Sequence, residues 1–283
     1  MPASPVVGVL GGGQLGRMLI EAASRLNVPV LVLDPGRNSP AKQISSAAHL
    51  HGSFSDSAQI QQLASQVDVL TVEIEHVDAA ALQRIRDENK SSGGRSGKGI
   101  AVHPSPETIL TIQDKYEQKI HLANRSLPVA DFLPVEGADS ASLEKSILAA
   151  VESFGLPLML KSRTEAYDGK GNYLLKSKDD IANAIAALGN GRRPLYAERF
   201  AKFECEIAVM VARSANGEVR SYDPVETVHR DSICHLVRAP LRRGRRGTSD
   251  RAREFAETAI TAFGEGAVGI FGVEMFLLPD GES

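Results

Sequence analysis

The residues best placed to do chemistry are a lysine at the end of an apolar run and the glycine-bearing stretch that follows it. Lys161 closes the run 158–161, and residues 165–171 read Glu-Ala-Tyr-Asp-Gly-Lys-Gly. A lysine at a strand end can neutralise phosphate oxygens, and a glycine-bearing loop can close over a nucleotide and exclude water. A hairpin with a solvated lysine explains this stretch equally well when it is taken alone.

Glutamates further along the chain could complete a nucleotide site. Glu206 follows the segment 198–201. On neighbouring strands, the backbone of that segment could pair with an adenine edge, and the Glu206 carboxylate could accept ribose hydroxyls. Glu274 interrupts the apolar run 269–278, where a carboxylate needs a cation or hydrogen bonds to offset its desolvation. Mg²⁺ is a good candidate, although a solvent-facing strand position is about as simple an interpretation.

A glycine motif near the N-terminus offers a second place for an anion. Residues 11–16 read Gly-Gly-Gly-Gln-Leu-Gly, between an apolar run and a helical pattern, and Asp34 closes the next apolar run. This is the dinucleotide fingerprint, and it keeps an NAD-dependent dehydrogenase as the first alternative. The same amides could instead hold a substrate's phosphate, or the glycines could serve only a tight turn. We favour the phosphate, because Lys161 and the glutamates point to phosphate chemistry.

Other candidates carry weaker signals. Glu73 and Glu75 end the strand predicted over 69–74, and alternation puts both on one face, where they could fix a substrate or simply form a polar strand end. The segment 238–253 has seven arginines and one acid, but without interleaved aromatics a solvated loop is the default interpretation. His229 is more simply structural than catalytic. The two cysteines are too few for a disulfide framework.

The composition excludes several classes of protein. The chain has 283 residues, of which 42% are hydrophobic and 24% charged, and its net charge is -3. It therefore has enough apolar surface for a folded core and no excess of basic charge for a nucleic acid. Its longest apolar stretches, such as 207–212, fall far short of the ~20 residues of a membrane helix. We expect a cytoplasmic protein that binds neither nucleic acid nor membrane, and homo-oligomerisation is left open.

The elements of the first hundred residues alternate in the way that predicts a Rossmann-like parallel sheet. A solvated loop is predicted over 88–99. A domain boundary is predicted near residue 105, so that the first domain comprises 1–104 and the second 105–283. The predicted strands are 6–10, 28–33, 69–74 and 100–102, and the predicted helices are 14–26, 60–65 and 79–87.

The second domain reads as α+β with an antiparallel sheet. A helix over 105–123 opens it, and Ser177 is expected to cap a helix. The other predicted helices are 142–154 and 249–263, and the predicted strands are 158–161, 173–175, 195–200, 206–212, 218–225 and 269–278. A tight turn at 279–281 predicts a returning strand, so we expect the chain to be truncated.

Four stretches together carry a family resemblance. They are Gly11-x-Gly13-Gln14-Leu15-Gly16-Arg17-Met18, Thr71-Val72-Glu73-Ile74-Glu75, Tyr167-Asp168-Gly169-Lys170-Gly171 and Gly272-Val273-Glu274-Met275-Phe276. In this order they resemble the ATP-grasp enzymes that make 5-(carboxyamino)imidazole ribonucleotide, in particular the N-terminal part of fungal phosphoribosylaminoimidazole carboxylase. The resemblance implies a Rossmann-like pre-ATP-grasp domain before an ATP-grasp domain. It also implies carboxylation of aminoimidazole ribonucleotide by bicarbonate and ATP, through carboxyphosphate, in purine synthesis.

The resemblance also implies roles for individual residues. Glu274 would be the first Mg²⁺ ligand, and the catalytic residues would be Tyr167, Asp168 and Lys170. The residues implied to hold ATP are Lys115, Lys161, Glu165, Ala166, Gly169, Gly171, Glu198, Arg199, Phe200, Ala201, Glu206 and His229. Those implied on the substrate side are Gly13, Gln14, Leu15, Gly16 and Glu75.

This chain departs from the family pattern in three places. Glu165-Ala166 replace a glycine pair, which would stiffen the loop, and Lys170 replaces an arginine, which removes a two-pronged donor. The family's second Mg²⁺ ligand is expected beyond Ser283. A non-catalytic nucleotide-binding fragment is therefore a third hypothesis, beside the carboxylating enzyme and the dehydrogenase.

Overall fold

The computed structural model describes residues 4–88, 99–165 and 170–279. The chain divides into two compact units. Unit 1 comprises Met1–Leu110 with Gly266–Gly269, and unit 2 comprises Thr111–Glu265 with Ile270–Ser283. The residues of the first unit thus extend slightly past the boundary predicted near residue 105.

Unit 1 is built on a parallel sheet whose short strands are rich in valine and leucine. Its strands are β1 (Val7–Leu10), β2 (Val30–Asp34), β3 (Leu50–His51), β4 (Val69–Val72) and β5 (Ala101–Val102). The strand order is β3-β2-β1-β4-β5, and all pairings are parallel. Its helices are α1 (Gln14–Arg25), α2 (Ser57–Ala64) and α3 (Ala79–Glu88), followed by α4 (Pro106–Gln113). The Rossmann-like prediction is confirmed, and the strand order reverses direction between β1 and β4.

The first half of unit 2 is a four-stranded antiparallel sheet with two of its helices packed on one face. Its elements are α5 (Lys115–Ala123), β6 (Phe132–Val135), α6 (Ser140–Phe154), β7 (Leu158–Ser162), β8 (Asn172–Leu175), α7 (Ile181–Ala187) and β9 (Leu195–Arg199). The strand order is β6-β9-β7-β8. Leu158, Leu160, Leu195 and Ala197 are buried in one apolar cluster with residues of α6 and α7. Because side chains alternate along a strand, Lys161 and Glu198 lie on the opposite face.

The second half of unit 2 is a separate sheet. Its elements are β10 (Cys205–Arg213), β11 (Val219–Ser221), β12 (Val225–Arg230), β13 (Ile233–Arg238), α8 (Thr248–Ala262) and β14 (Gly269–Leu277). The order is β11-β10-β12-β13, with β14 also paired to β10, and α8 packs against β10 and β11.

Several predicted elements differ from those observed. The helix predicted over 105–123 is two helices, because the Asp114 side chain accepts the amides of Tyr116 and Glu117 and starts a new helix there. Of the strand predicted over 218–225, residues 219–221 form β11 and only Val225 belongs to β12. The rest of β12 was not predicted, nor were β3, β6 and β13. Ser177 makes no side-chain cap and precedes a 3₁₀ turn.

Candidate nucleotide site and glycine loop

A buried carboxylate in unit 2 holds two lysines. Glu198 is only 4% exposed on β9. Its Oε1 accepts a hydrogen bond from Lys161 Nζ at 2.9 Å, and its Oε2 lies 2.8 Å from Lys119 Nζ in an ion pair. Burial alone would raise the pKa of Glu198, but the two lysines more than offset it and lower that pKa. One carboxylate thus serves two ammonium groups, so Lys119, Lys161 and Glu198 together carry a net charge of +1.

The residue after β7 anchors the start of the glycine-bearing loop. Arg163 donates from Nε and Nη2 to the carboxylate of Asp114, with the shortest contact at 2.6 Å, and its guanidinium lies 4.8 Å from the ring centroid of Tyr116. The backbone amide of Lys115 donates to the carbonyl of Arg163 at 2.8 Å. The start of α5 is therefore fixed beside the end of the strand that carries Lys161.

The loop itself is described only at its ends. The predicted site residues Ala166, Tyr167, Asp168 and Gly169 lie outside the described residues. Glu165 has a φ of +55°, and its Oε2 lies 3.2 Å from Arg193 Nη2 in an ion pair. A positive φ favours glycine, so Glu165 adopts a backbone conformation that glycine adopts more readily.

The far end of the loop rejoins the sheet. Gly171 has a φ of +84°, and its carbonyl accepts the amide of Ser162 at 2.7 Å. Lys170 is exposed immediately before it. The loop is therefore closed at its base by backbone pairing between β7 and β8.

Glu206 and His229 meet on the second sheet, and Glu274 is close enough to affect the pKa of Glu206. Glu206 Oε2 lies 2.9 Å from His229 Nδ1. Burial raises the pKa of Glu206, His229 opposes that rise, Glu274 adds to it by repulsion, and Lys161 opposes it again. The electrostatic interactions therefore join Glu206 both to the lysine cluster and to Glu274.

Glu274 is not desolvated, contrary to the argument from its apolar neighbours. The residue is exposed, because β14 buries Phe271, Met275 and Leu277 on its other face. Its carboxylate and that of Glu206 repel each other, and oxygen ligands of this kind suit Mg²⁺. The donor chemistry thus fits a magnesium ion, although no group of three or more His, Cys, Asp or Glu among residues 4–88, 99–165 and 170–279 is arranged to hold a metal.

The segment 198–201, predicted to contact adenine, ends β9 and begins the connection from the first sheet of unit 2 to the second. Arg199 ends β9 and its Nε donates to Asp131 at 2.8 Å, so its charge is used at the sheet edge. Phe200 and Ala201 follow, both half-buried. Beyond them, the ring of Phe203 stacks on that of Phe276 with centroids 4.4 Å apart. The stacked rings give this end of the unit an apolar, aromatic character.

In unit 1, the glycine motif encloses carboxylates of the protein itself. The amide of Gly13 donates to Glu73 Oε2 at 2.7 Å, and that of Gly12 donates to Asp34 Oδ2 at 2.9 Å. A Cβ added at Gly11 would lie 2.9 Å from Glu73 Oε2. The motif closes at the carboxyl ends of β1 and β4, where the strand order reverses and ligands of such sheets usually bind.

This arrangement argues against a dinucleotide at Asp34. Its other carboxylate oxygen accepts the amide of Gly36 at 2.7 Å, so each oxygen already accepts a backbone amide, with which a ribose hydroxyl would compete. The carboxylate of Glu75 lies beside His76, with its Oε1 3.9 Å from His76 Nε2. The strand predicted to reach residue 74 ends at Val72, so Glu73 and Glu75 belong to the turn after it.

Sequence reasoning missed Lys119 and the role of Glu73 in the glycine motif. Lys119 lies four residues after Lys115, so helical spacing places both on one side of α5. That spacing could have identified Lys119 as a second lysine near the site. The hydrogen bond from Gly13 to Glu73 joins residues far apart in the chain, so no local pattern predicts it.

Two domain families match the chain. A ribonucleotide synthetase preATP-grasp domain matches residues 5–113, and an ATP-grasp domain matches residues 120–282. The chain is therefore an ATP-grasp protein with the preATP-grasp domain of ribonucleotide synthetases. In the part of the chain that the structure describes, no helix has the length and apolar character needed to cross a membrane.

Individual relatives narrow the family further. Phosphoribosylaminoimidazole carboxylase of Saccharomyces cerevisiae is 48% identical over 99% of this chain and 46% of its own length. N5-carboxyaminoimidazole ribonucleotide synthase of Brucella melitensis is 32% identical over 97% of this chain and 70% of its own length. The chain belongs to the N5-carboxyaminoimidazole ribonucleotide synthase family, and it spans about half the length of its fungal relatives.

Solved structures agree with this family. The carboxyaminoimidazole ribonucleotide synthase of Aspergillus clavatus, complexed with ATP, is 46% identical and has a TM-score of 0.88 over 100% of this chain and 69% of that one. A second structure of the enzyme from that organism, with ADP and 5-aminoimidazole ribonucleotide, is 45% identical with a TM-score of 0.85, over 100% of this chain and 68% of that one.

Proposed function

We propose that the chain provides the ATP-binding part of a cytoplasmic enzyme that carboxylates aminoimidazole ribonucleotide with bicarbonate in purine synthesis. The observation that carries this proposal is the cluster of Lys119, Lys161 and Glu198, which keeps a net positive charge in the interior of unit 2. A partly buried positive charge attracts phosphate more strongly than a solvated one, because water screens it less. The particular reaction is proposed because the chain belongs to the N5-carboxyaminoimidazole ribonucleotide synthase family.

In this proposal, positioning and charge neutralisation lower most of the barrier to phosphoryl transfer. Lys161 and Lys115 hold phosphate oxygens of ATP, and Glu206 accepts the ribose hydroxyls with His229 beside it. Bicarbonate oxygen attacks the γ-phosphorus, the bond to the β-phosphate oxygen breaks, and ADP leaves as carboxyphosphate forms. The amine of aminoimidazole ribonucleotide then takes the carboxyl group, and phosphate leaves.

A magnesium ion held by Glu274 would neutralise the charge that develops on the phosphate oxygens. The repulsion between Glu206 and Glu274 supports this assignment, since a cation between carboxylates relieves it. We place adenine against the backbone of 198–201, on the side where Phe203 and Phe276 stack.

On the substrate side, we propose that residues of the glycine motif and the 165–171 loop contact the ribonucleotide and bicarbonate. The likeness to a structure that holds both ADP and 5-aminoimidazole ribonucleotide supports two ligands in one protein of this kind. The residues proposed for this side are Gly13, Gln14, Leu15, Gly16, Glu75, Tyr167, Asp168 and Lys170.

The experiment is a phosphate-release assay on the whole protein with ATP, Mg²⁺, bicarbonate and aminoimidazole ribonucleotide. We expect release to require the ribonucleotide and bicarbonate together. Glu274→Gln should raise the Mg²⁺ concentration needed for half-maximal release, whereas the exposed Glu144→Gln on α6 should leave it unchanged. Release that ignores the ribonucleotide, or NAD binding to the glycine motif, would contradict the proposal.

A further inference from the structure

We propose that Lys119 is a positioning residue for ATP, because it shares the Glu198 carboxylate and so keeps Lys161 from being neutralised. This inference rests on the proposed function, since it concerns the same ATP site. It assigns to α5 a residue that acts through Glu198 rather than by touching the nucleotide.

The position of Lys119 limits what its ammonium group can do. Its side chain is 17% exposed, its Nζ lies 2.8 Å from Glu198 Oε2, and it lies 5.6 Å from the ring centroid of Phe132. A further contact reaches the carbonyl of Ala130 at 3.5 Å. The group is held by the sheet and by an aromatic face, and an ammonium held in this way serves the carboxylate beside it.

The balance of charge explains why a second lysine is needed. If Lys161 alone faced Glu198, the two would form a neutral pair, and a neutral pair attracts phosphate weakly. With Lys119 on the other carboxylate oxygen, two positive charges face one negative charge. Lys161, on β7 beside the base of the glycine-bearing loop, can then bind a phosphate oxygen without leaving Glu198 buried and unpaired.

A purely structural role for Lys119 predicts a different response to mutation. A structural role would appear as a loss of stability without ATP, because removing one partner of a buried ion pair leaves the other charge unpaired. The charge-sharing role depends on the net charge of the three residues. Lys119→Met leaves them neutral, whereas Lys119→Met combined with Glu198→Gln returns them to one positive charge.

The test is calorimetric titration of the 283-residue chain with ATP and Mg²⁺, alongside thermal melting of each variant without ATP. We expect Lys119→Met to weaken ATP binding about tenfold, because Glu198 then neutralises the charge of Lys161. Lys119→Arg should retain the wild-type affinity. The double variant should recover most of the loss, and Lys145→Met, at an exposed site on α6, should have no effect.

The outcomes separate this inference from the proposed function. If the wild-type chain binds no ATP, the proposed function fails for this chain and the inference fails with it. If the wild type binds ATP but the double variant binds as weakly as Lys119→Met, Lys119 is structural and only the inference is overturned. Wild-type affinity in Lys119→Met would overturn it as well.

Discussion

The glycine motif of unit 1 and the lysine cluster of unit 2 both surround a carboxylate, but they leave different charges behind. In unit 1, Asp34 and Glu73 accept the amides of Gly12 and Gly13, so these two donors are used by the protein itself. In unit 2, Glu198 is shared between Lys161 and Lys119, and a positive charge is left over. We therefore expect phosphate to bind at the cluster, while these contacts of the glycine motif stabilise unit 1.

The largest effect is expected where the glycine motif is closest to its carboxylate. Gly11→Ala would place a Cβ 2.9 Å from Glu73 Oε2 at a φ of +103°. We expect the free energy of unfolding to fall by about 2–3 kcal/mol, because steric overlap adds to backbone strain. Urea denaturation measures it. Gly189→Ala, at a φ of +97° with nothing within 4 Å of the added Cβ, should cost only about 1 kcal/mol; an equal loss in both variants would show that backbone strain alone matters.

Neutralising the enclosed carboxylate should cost less. Glu73→Gln removes the charge that accepts the Gly13 amide, and hydrogen bonds to charged groups contribute about 1.5–3 kcal/mol, so we expect a loss near the lower end of that range. Chemical denaturation measures this loss in the free energy of unfolding. The control is Glu21→Gln, which alters an exposed ion pair with Arg17. Equal stability of the two variants would mean that the motif does not depend on the charge.

A surface ion pair in unit 1 should give the smallest effect and the clearest pH dependence. Arg86 donates two hydrogen bonds to Glu107 and lowers the pKa of that carboxyl from its usual value near 4.5 to about 2. Because Glu107 is more than half exposed, solvent reduces the benefit to about 1 kcal/mol. This contribution is present above pH 4.5 and is lost as the pH falls towards 2.

The free energy of unfolding of the wild type and of Arg86→Met is measured by denaturation between pH 7 and pH 2. The two curves should differ at pH 7 and converge at low pH. A difference that persists at pH 2 would show that the arginine stabilises by packing rather than by charge.

Local patterns in the sequence were enough to predict much of the sheet and several site residues. The valine-rich runs predicted β1, β2 and β4, and Lys161 was expected at a strand end, where it lies. Glu206 and His229 were both named from the sequence, and the structure brings them to 2.9 Å.

The remainder depends on contacts between distant parts of the chain. The break at Asp114 is fixed by a side-chain cap and by Arg163, almost fifty residues later, while apolar spacing runs on without interruption. The burial of Glu198 depends on a helix and two strands that meet only in the fold, so alternation along β9 alone favoured an exposed glutamate. For Glu274 the error is the opposite: burial was expected from its apolar neighbours, but the residue is exposed. An apolar run does not show which face of a strand is covered by the rest of the fold.

The central claim is that the lysine cluster of unit 2 binds the phosphates of ATP. Its most direct test is calorimetric titration of ATP and Mg²⁺ into the wild-type chain and into Lys161→Met, with melting curves to confirm that both are folded. We expect the variant to bind about a hundredfold more weakly, since about 2.8 kcal/mol of charged contact is lost. Equal affinities in two folded proteins would contradict the account.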